Sequence, residues 1–377
     1  MSRKEYYIKK ELIEVFRKDL KQFDEATRDF YTGQMSKQEY KGISGAFGSY
    51  AERDGKYGML RLRMTAGRVT KEQLGFIVDT LKRYELSTVK LTTCETIQLH
   101  HLKGRQILAI ANDALDHGIF CRGGGGDNPR NVMAPPLSGV LPEETFDVMP
   151  YAEALADYLL SILYEIKMPR KLKVGFANHP NNVAHATIRD LGFVAREDGT
   201  FDVYSAGGMG PNPRMGIQMA SGVSGSELIY YTRAMVNTFL KYGNYTMRAK
   251  ARTRYMPDAL GGEEAYRAAF AEQMESVKQQ GGLDLEVAEQ PVTKAGDDST
   301  IENRRVIAQK QPGLFAVWYH PLGGMPSPET LTALYETIRD MDAVELRLGA
   351  DNTMYIINCT AKEAKEVLRV TEDGAQS

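Results

Sequence analysis

Apolar residues recur along the chain with two periods, and the places where one period gives way to the other mark its elements. Leu12, Val15, Phe16, Leu20 and Phe23 fall at helical spacing in a charged stretch, which predicts one long helix or two short ones within residues 4–31. Residues 33–54 mix glycine, serine and aromatics without a period and read as an extended loop. From Gly58 the pattern sharpens. Met59, Leu60, Leu62 and Met64 predict a strand, and Thr70 caps a helix carrying Leu74, Ile77, Val78 and Leu81. Strands follow at 88–91 and 96–102, then a second helix at 104–115. Strand, helix, two strands, helix is the order of a ferredoxin-like half domain.

The same order returns near the C-terminus, with a strand at 313–319, a helix at 327–341 capped by Ser327, strands at 344–348 and 353–358, and a helix at 361–368. A shift of 257 residues lays Thr70 over Ser327, Leu74 over Leu331 and Thr96 over Thr353, so the unit is an internal repeat. Between the copies the pattern predicts a helix at 149–166, a strand around Lys171 and Lys173, strands at 192–196 and 201–205, and a turn from Ala206 to Gly210. Two or three helices then fill 224–280, the first with Ser224 and Glu227 spaced as a capping box. The whole reads as an α+β protein. It has an N-terminal helical or extended segment at 1–54, half domains at 55–120 and 304–377, a mixed α+β domain at 121–281 and an acidic, aperiodic linker at 282–303.

Composition changes this picture little. A net charge of −2 over 377 residues gives no global field to recommend nucleic acid as a partner, so basic character must act locally. No run approaches the roughly 18 apolar residues of a membrane helix, and Met1-Ser-Arg-Lys-Glu lacks a signal peptide's apolar core, so a cytoplasmic location is expected. Three separated cysteines, Cys94, Cys121 and Cys359, make no disulfide framework and no metal-binding pair, and no metal ligands are expected in this chain.

The local chemistry centres on Met168-Pro-Arg-Lys-Leu-Lys-Val-Gly-Phe176. Leu172, Val174 and Phe176 alternate with polar residues, so Lys171 and Lys173 share one strand face. Like charges so placed repel unless an anion sits between them; the alternative is a solvated strand end. Three more motifs accompany it: Leu91-Thr-Thr-Cys-Glu-Thr-Ile-Gln-Leu-His100, Gly126-Asp-Asn-Pro-Arg-Asn-Val132 and Gly207-Gly-Met-Gly210.

In this order, flanked by two half-domain copies, the motifs resemble the siroheme-containing nitrite and sulfite reductases that take electrons from ferredoxin or a similar carrier. The resemblance implies a siroheme-binding role for 121–281, and an anion site formed by Arg130, Lys171 and Lys173. Nitrite or sulfite is a small oxyanion whose six-electron reduction consumes protons. Fixed cations therefore both hold it and favour bond cleavage, with arginine as clamp and lysine as potential proton donor. The same resemblance gives Arg63, Thr92, Arg170, Gly207, Gly208, Met209, Gly210 and Arg252 to the cofactor, whose eight carboxylates require further cations. Arg248, Lys250, Arg252 and Arg254 alternate; on a helix they would spread over several faces, and at most one or two would reach the cofactor. The glycine turn reads equally as an ordinary hairpin or as a loop lying close to the macrocycle. His100 and His101 read as structural.

Two departures stand out. Cys94 occupies a position where the family carries an arginine and reads as a buried, inert thiol; the lost cation either weakens the oxyanion site or is compensated by a neighbour such as Arg63, which leaves sulfite against nitrite open. Lys173, where plant-type nitrite reductases commonly have asparagine, leans towards sulfite. The family's C-x5-C and C-x3-C cysteines, which hold a 4Fe-4S cluster, lie beyond the second half domain. The chain ends at Ser377, about where that region would begin, so it reads as a truncated form expected to be inactive alone. A precorrin-modifying oxygenase of related architecture and a non-catalytic tetrapyrrole- or anion-binding module are the alternatives.

Overall fold

In the computed structural model, which describes residues 10–372, the chain opens with a long helix, α1 (Lys10–Tyr31), that buries Phe16, Phe23 and Ala26 along one stripe. The stretch expected as loop folds instead into α2 (Lys37–Ser44) and the short strand β1 (Ser49–Ala51). Local capping decides it: the Ser36 hydroxyl accepts the Glu39 N–H while the Glu39 carboxylate accepts the Ser36 N–H, and Tyr40 is fully buried. A helix of eight residues is too short to declare itself by periodicity.

The first half domain follows as β2 (Gly58–Arg63), β3 (Arg68–Val69), α3 (Lys71–Arg83), β4 (Val89–Leu91), β5 (Thr96–Leu102) and α4 (Gly104–Asp116). Its antiparallel sheet has the order β1-β2-β5-β4, and Thr70 and Gln73 form the capping box that starts α3.

The middle of the chain forms β6 (Pro129–Met133), α5 (Met149–Ser161), β7 (Leu172–Ala177), β8 (Leu191–Ala195), β9 (Phe201–Ser205) and β10 (Ile217–Val223), then α6 (Leu228–Tyr242), α7 (Met256–Leu260) and α8 (Glu263–Gln280). The sheet order is β10-β9-β8-β7-β6, with β6, β7 and β8 parallel and the other pairs antiparallel. Phe176, Phe193 and Phe201 are fully buried on neighbouring strands. β10 was not expected. The capping box at 224–227 does not form either: Ser224 accepts the Ser226 N–H in a 3₁₀ turn, and the Glu227 carboxylate reaches Lys278 at 2.8 Å.

The second copy comprises β11 (Val306–Ala308), β12 (Phe315–Tyr319), α9 (Pro328–Ile338), β13 (Glu345–Leu348), β14 (Met354–Cys359) and α10 (Ala361–Val370). Its sheet, β11-β12-β14-β13-β3, takes one strand from the first copy. A half-buried carboxylate pins that exchange: Glu345 accepts from Arg68 Nε at 2.8 Å and from Arg347 Nε at 2.6 Å.

The repeat extends to details that the strand pattern cannot show. The 257-residue shift carries Ala66 and Gly67, at φ 52° and 77°, onto Gly323 and Gly324, at 64° and 70°. It carries Glu95 (φ 55°) onto Asn352 (φ 68°), and His101 (φ 57°) onto Asn358 (φ 63°). A polar pair moves with them: the Glu52 carboxylate accepts the His101 N–H at 3.0 Å, and the side-chain Oε1 of Gln309 accepts the Asn358 N–H at 2.7 Å. The histidine pair thus belongs to a turn-closing device common to both copies, with His100 also on Glu52 at 3.2 Å. Gly67 is required twice over. A side chain there would be strained at its positive φ, and its Cβ would lie 2.8 Å from both the Glu95 carboxylate and the Leu348 carbonyl.

Among the described residues, 127–138 and 144–290 form one compact unit, and 10–126, 139–143 and 291–372 form another. No described helix is long and apolar enough to cross a membrane.

Candidate functional site

Arg130, Lys171, Lys173 and Arg252 all belong to the unit built on the five-stranded sheet. Leu172 and Val174 are fully buried while Lys171 and Lys173 are half-buried, so alternation along the start of β7 sends both lysines to one face. Arg130 lies on the parallel neighbour, where the β6–β7 register slips between Pro129 and Val132. Such an irregularity turns a side chain out of the regular alternation. Lys171 is the centre of the group: burial, and then the charges of Arg130, Arg252, Lys173 and Arg170, bring its ammonium down from 10.5 to about 8.

The basic segment does not form the expected helix. It makes two 3₁₀ turns, Arg248–Lys250 and Thr253–Tyr255, which send its cations to different partners. Arg248 stays exposed and pairs with Asp127 at 2.8 Å. Lys250 lies 4.6 Å from the centre of the Tyr255 ring. Arg252 turns inward and its Nη2 donates to both carboxylate oxygens of Asp190, at 3.1 and 3.0 Å. Arg254 is buried, and donates to the Met209 carbonyl at 2.8 Å and to the Tyr255 hydroxyl at 3.3 Å. The Nε atoms of Arg252 and Arg254 are buried without a hydrogen-bond partner among the described residues.

Two acids to which the sequence reading gave no role, Asp190 and the Asp127 of the Gly126–Val132 motif, organise these cations. Asp190 is 1% exposed; besides Arg252 it accepts the Lys173 backbone N–H at 2.7 Å and the Thr253 hydroxyl. Asp127 takes Arg170 at 3.1 Å as well as Arg248. Burial alone would raise its carboxyl, but the hydrogen bonds and charges of Arg248 and Arg170 outweigh that and hold it below the usual carboxylate range. Arg170, assigned to the cofactor on sequence, is thus engaged within the protein. The available signal was Arg189-Asp190, a charged pair immediately before the apolar run of β8.

The glycine turn is a hairpin loop closed by reciprocal hydrogen bonds of 2.9 Å between Gly208 and Arg214. Its glycines answer to the protein's own packing: a Cβ on Gly207 would meet the Arg189 carbonyl at 2.7 Å, and one on Gly208 the Arg254 side chain at 3.1 Å. Gly210 has φ 112°, and Met209 is 63% exposed at the tip.

Arg63 and Thr92 fall in the other unit. Arg63 is buried and donates to the Arg122 carbonyl at 3.2 Å. Thr92 closes the β4–β5 turn, its hydroxyl 2.7 Å from that of Thr96 and accepting the Cys94 N–H at 3.3 Å. Cys94 is half-buried, not buried as expected, because it lies in that turn. Arg61 is the cation whose charge interacts with Cys94; burial lowers its basicity, partly offset by that interaction. Among the described residues no cluster of histidine, cysteine or acidic side chains is arranged to hold a metal ion.

The chain is thus α+β, with duplicated half domains and a cation cluster at the start of its central strands. The comparisons with known proteins carry this further. Residues 125–278 match the nitrite and sulphite reductase 4Fe-4S domain and residues 50–117 the nitrite/sulfite reductase ferredoxin-like half domain. A chloroplastic ferredoxin–nitrite reductase of Zea mays is 25% identical over 85% of this chain and 57% of its own length. The sulfite reductase [NADPH] hemoprotein beta-component of Bacillus subtilis is 31% identical over 54% of this chain and 42% of its own. The solved structure of Mycobacterium tuberculosis NirA matches 93% of this chain and 66% of that one, with a TM-score of 0.73 at 21% identity. The chain belongs to the nitrite and sulfite reductase family. It spans about half the length of the curated relatives it matches.

Proposed function

We propose that the cluster around Lys171 is the anion side of a siroheme-dependent reductase acting on nitrite or sulfite. In this reading residues 121–281 form the siroheme-binding part between the half domains at 55–120 and 304–377, and a ferredoxin-type donor supplies electrons through a 4Fe-4S cluster. The carrying observation is a half-buried lysine surrounded by Arg130, Lys173, Arg252 and Arg170, an arrangement that a bound anion would relieve.

The residues present fit the cofactor. Arg252 and Arg254 keep buried Nε donors without partners among the described residues, and such donors suit the carboxylates of a tetrapyrrole rim. When bound, siroheme supplies the iron at which the oxyanion is reduced. The protein's own part is to hold the anion with Arg130, Lys171 and Lys173, and to keep a proton on Lys171 Nζ that can be donated near neutral pH. Both nitrite and sulfite reductases stand among the relatives, and Lys173 leans the choice towards sulfite.

The test is to titrate the purified chain with siroheme, then with sulfite, following visible absorbance. Uptake of siroheme and a further spectral change with sulfite are expected, the second lost in Lys171→Met and Arg130→Met. Siroheme uptake with no response to sulfite or nitrite would replace this reading with a tetrapyrrole-binding module, and failure to take up siroheme would reject both.

A further inference from the structure

Asp190 poses a problem of sign. It places a buried carboxylate among cations that are proposed to receive an anion, where a negative charge by itself opposes binding. What it touches resolves this. Its oxygens accept from the Lys173 main chain at the start of β7, from the Arg252 guanidinium, and from the hydroxyl of the fully buried Thr253 beside Arg252. One rigid group thus ties together two segments distant in sequence, the lysine strand and the arginine turn. Ser205 Oγ lies 3.4 Å from the Asp190 carbonyl and so braces its main chain from β9. Buried at 1% exposure, the carboxylate has no rotamer freedom to follow a ligand.

We propose that Asp190 is a positioning residue of the anion site: it fixes the Lys173 backbone and the Arg252 guanidinium in one arrangement, and so orders the cations before the anion arrives. The inference rests on the reading of the Lys171 cluster as an anion site. Pre-set donors bind more tightly because the ordering cost is met during folding, at the expense of one opposing charge.

The two effects of this carboxylate have opposite signs, and that makes the role testable. Asp190→Asn removes a negative charge from a cationic site; by Coulomb attraction alone sulfite would bind the variant more tightly. Loss of positioning predicts the reverse, about tenfold weaker binding, the order of one charge-assisted hydrogen bond. Sulfite binding to the 377-residue chain is measured by calorimetry at pH 7 and fixed ionic strength, with circular dichroism and thermal unfolding as checks on the fold.

A second pair of variants leaves the charge alone: Thr253→Val deletes a donor to Asp190, and Thr253→Ser restores it. Weaker binding in Asp190→Asn and Thr253→Val, recovered in Thr253→Ser, is the expected result. Unchanged or tighter binding in Asp190→Asn, or a Thr253→Val variant that binds like wild type, overturns the inference. If Asp190→Asn fails to fold, the Thr253 pair decides. The underlying reading fails separately, and takes the inference with it, if wild type binds sulfite no better than Arg130→Met and Lys171→Met.

Discussion

Raising the pH from 7 to 9 should weaken anion binding and stabilise the fold at once, because both changes pass through Lys171. Its ammonium titrates near pH 8, lowered by burial and by Arg130, Arg252, Lys173 and Arg170. Nitrite is the suitable probe, since its own charge is constant over this range. With a midpoint of about 8, roughly nine-tenths of Lys171 is protonated at pH 7 and about one-tenth at pH 9, so affinity should fall about tenfold if the site needs that charge. A bound anion favours the charged form, so binding should take up protons between pH 8 and 9. Stability moves the other way. The unfolded chain holds the lysine proton up to its ordinary value of 10.5 and the folded chain releases it near 8. The unfolded state therefore binds more protons across that window, and the contribution of Lys171 to stability rises with pH. Calorimetry in two buffers of different ionisation enthalpy counts the protons, and chemical denaturation follows stability; Lys171→Met should flatten both trends. A nitrite affinity constant from pH 7 to 9, with no proton uptake, would refute the assignment of Lys171 to the site.

Three further outcomes test the fold. Gly192→Ala would place a Cβ 1.9 Å from the Ala186 carbonyl, a backbone atom that cannot swing aside, so unfolding in urea should show a loss of about 3 kcal/mol or more. Glu345→Gln strips the charge that serves Arg68 and Arg347 and should cost about 3–5 kcal/mol. Burial would raise the Glu345 carboxyl, but the two arginines outweigh it and hold it low; its stabilising contribution, full above the ordinary carboxylate value, should be lost in wild type as pH falls through that lowered value. Thiol labelling of the folded chain near pH 8 should modify Cys94 alone among the three cysteines, since Cys121 and Cys359 are buried and burial pushes both thiols up to about 12. Rapid modification of all three would contradict that packing.

The repeat, the α+β class and the lysine strand were legible in the sequence because each rests on a local period: 3.6 for α3 and α9, and 2 for β5, β7 and β14. Caps were legible where a short side chain reaches only its own turn, as Thr70 and Ser327 do. The reading failed where competition between partners decided the outcome. Glu227 had a capping hydroxyl nearby and took Lys278, and the Arg248–Arg254 stretch gave up a continuous helix for separate contacts with Asp127, Asp190, Met209 and Tyr255. By itself the sequence determined which residue types stood ready to meet an anion, because spacing along a strand fixes the face on which a lysine emerges. Only the tertiary structure decided which cations converge and which are held internally. A charge is assigned by the partner that folding brings within about 3 Å, and for Arg252 that partner is Asp190, distant in sequence and unmarked by any period.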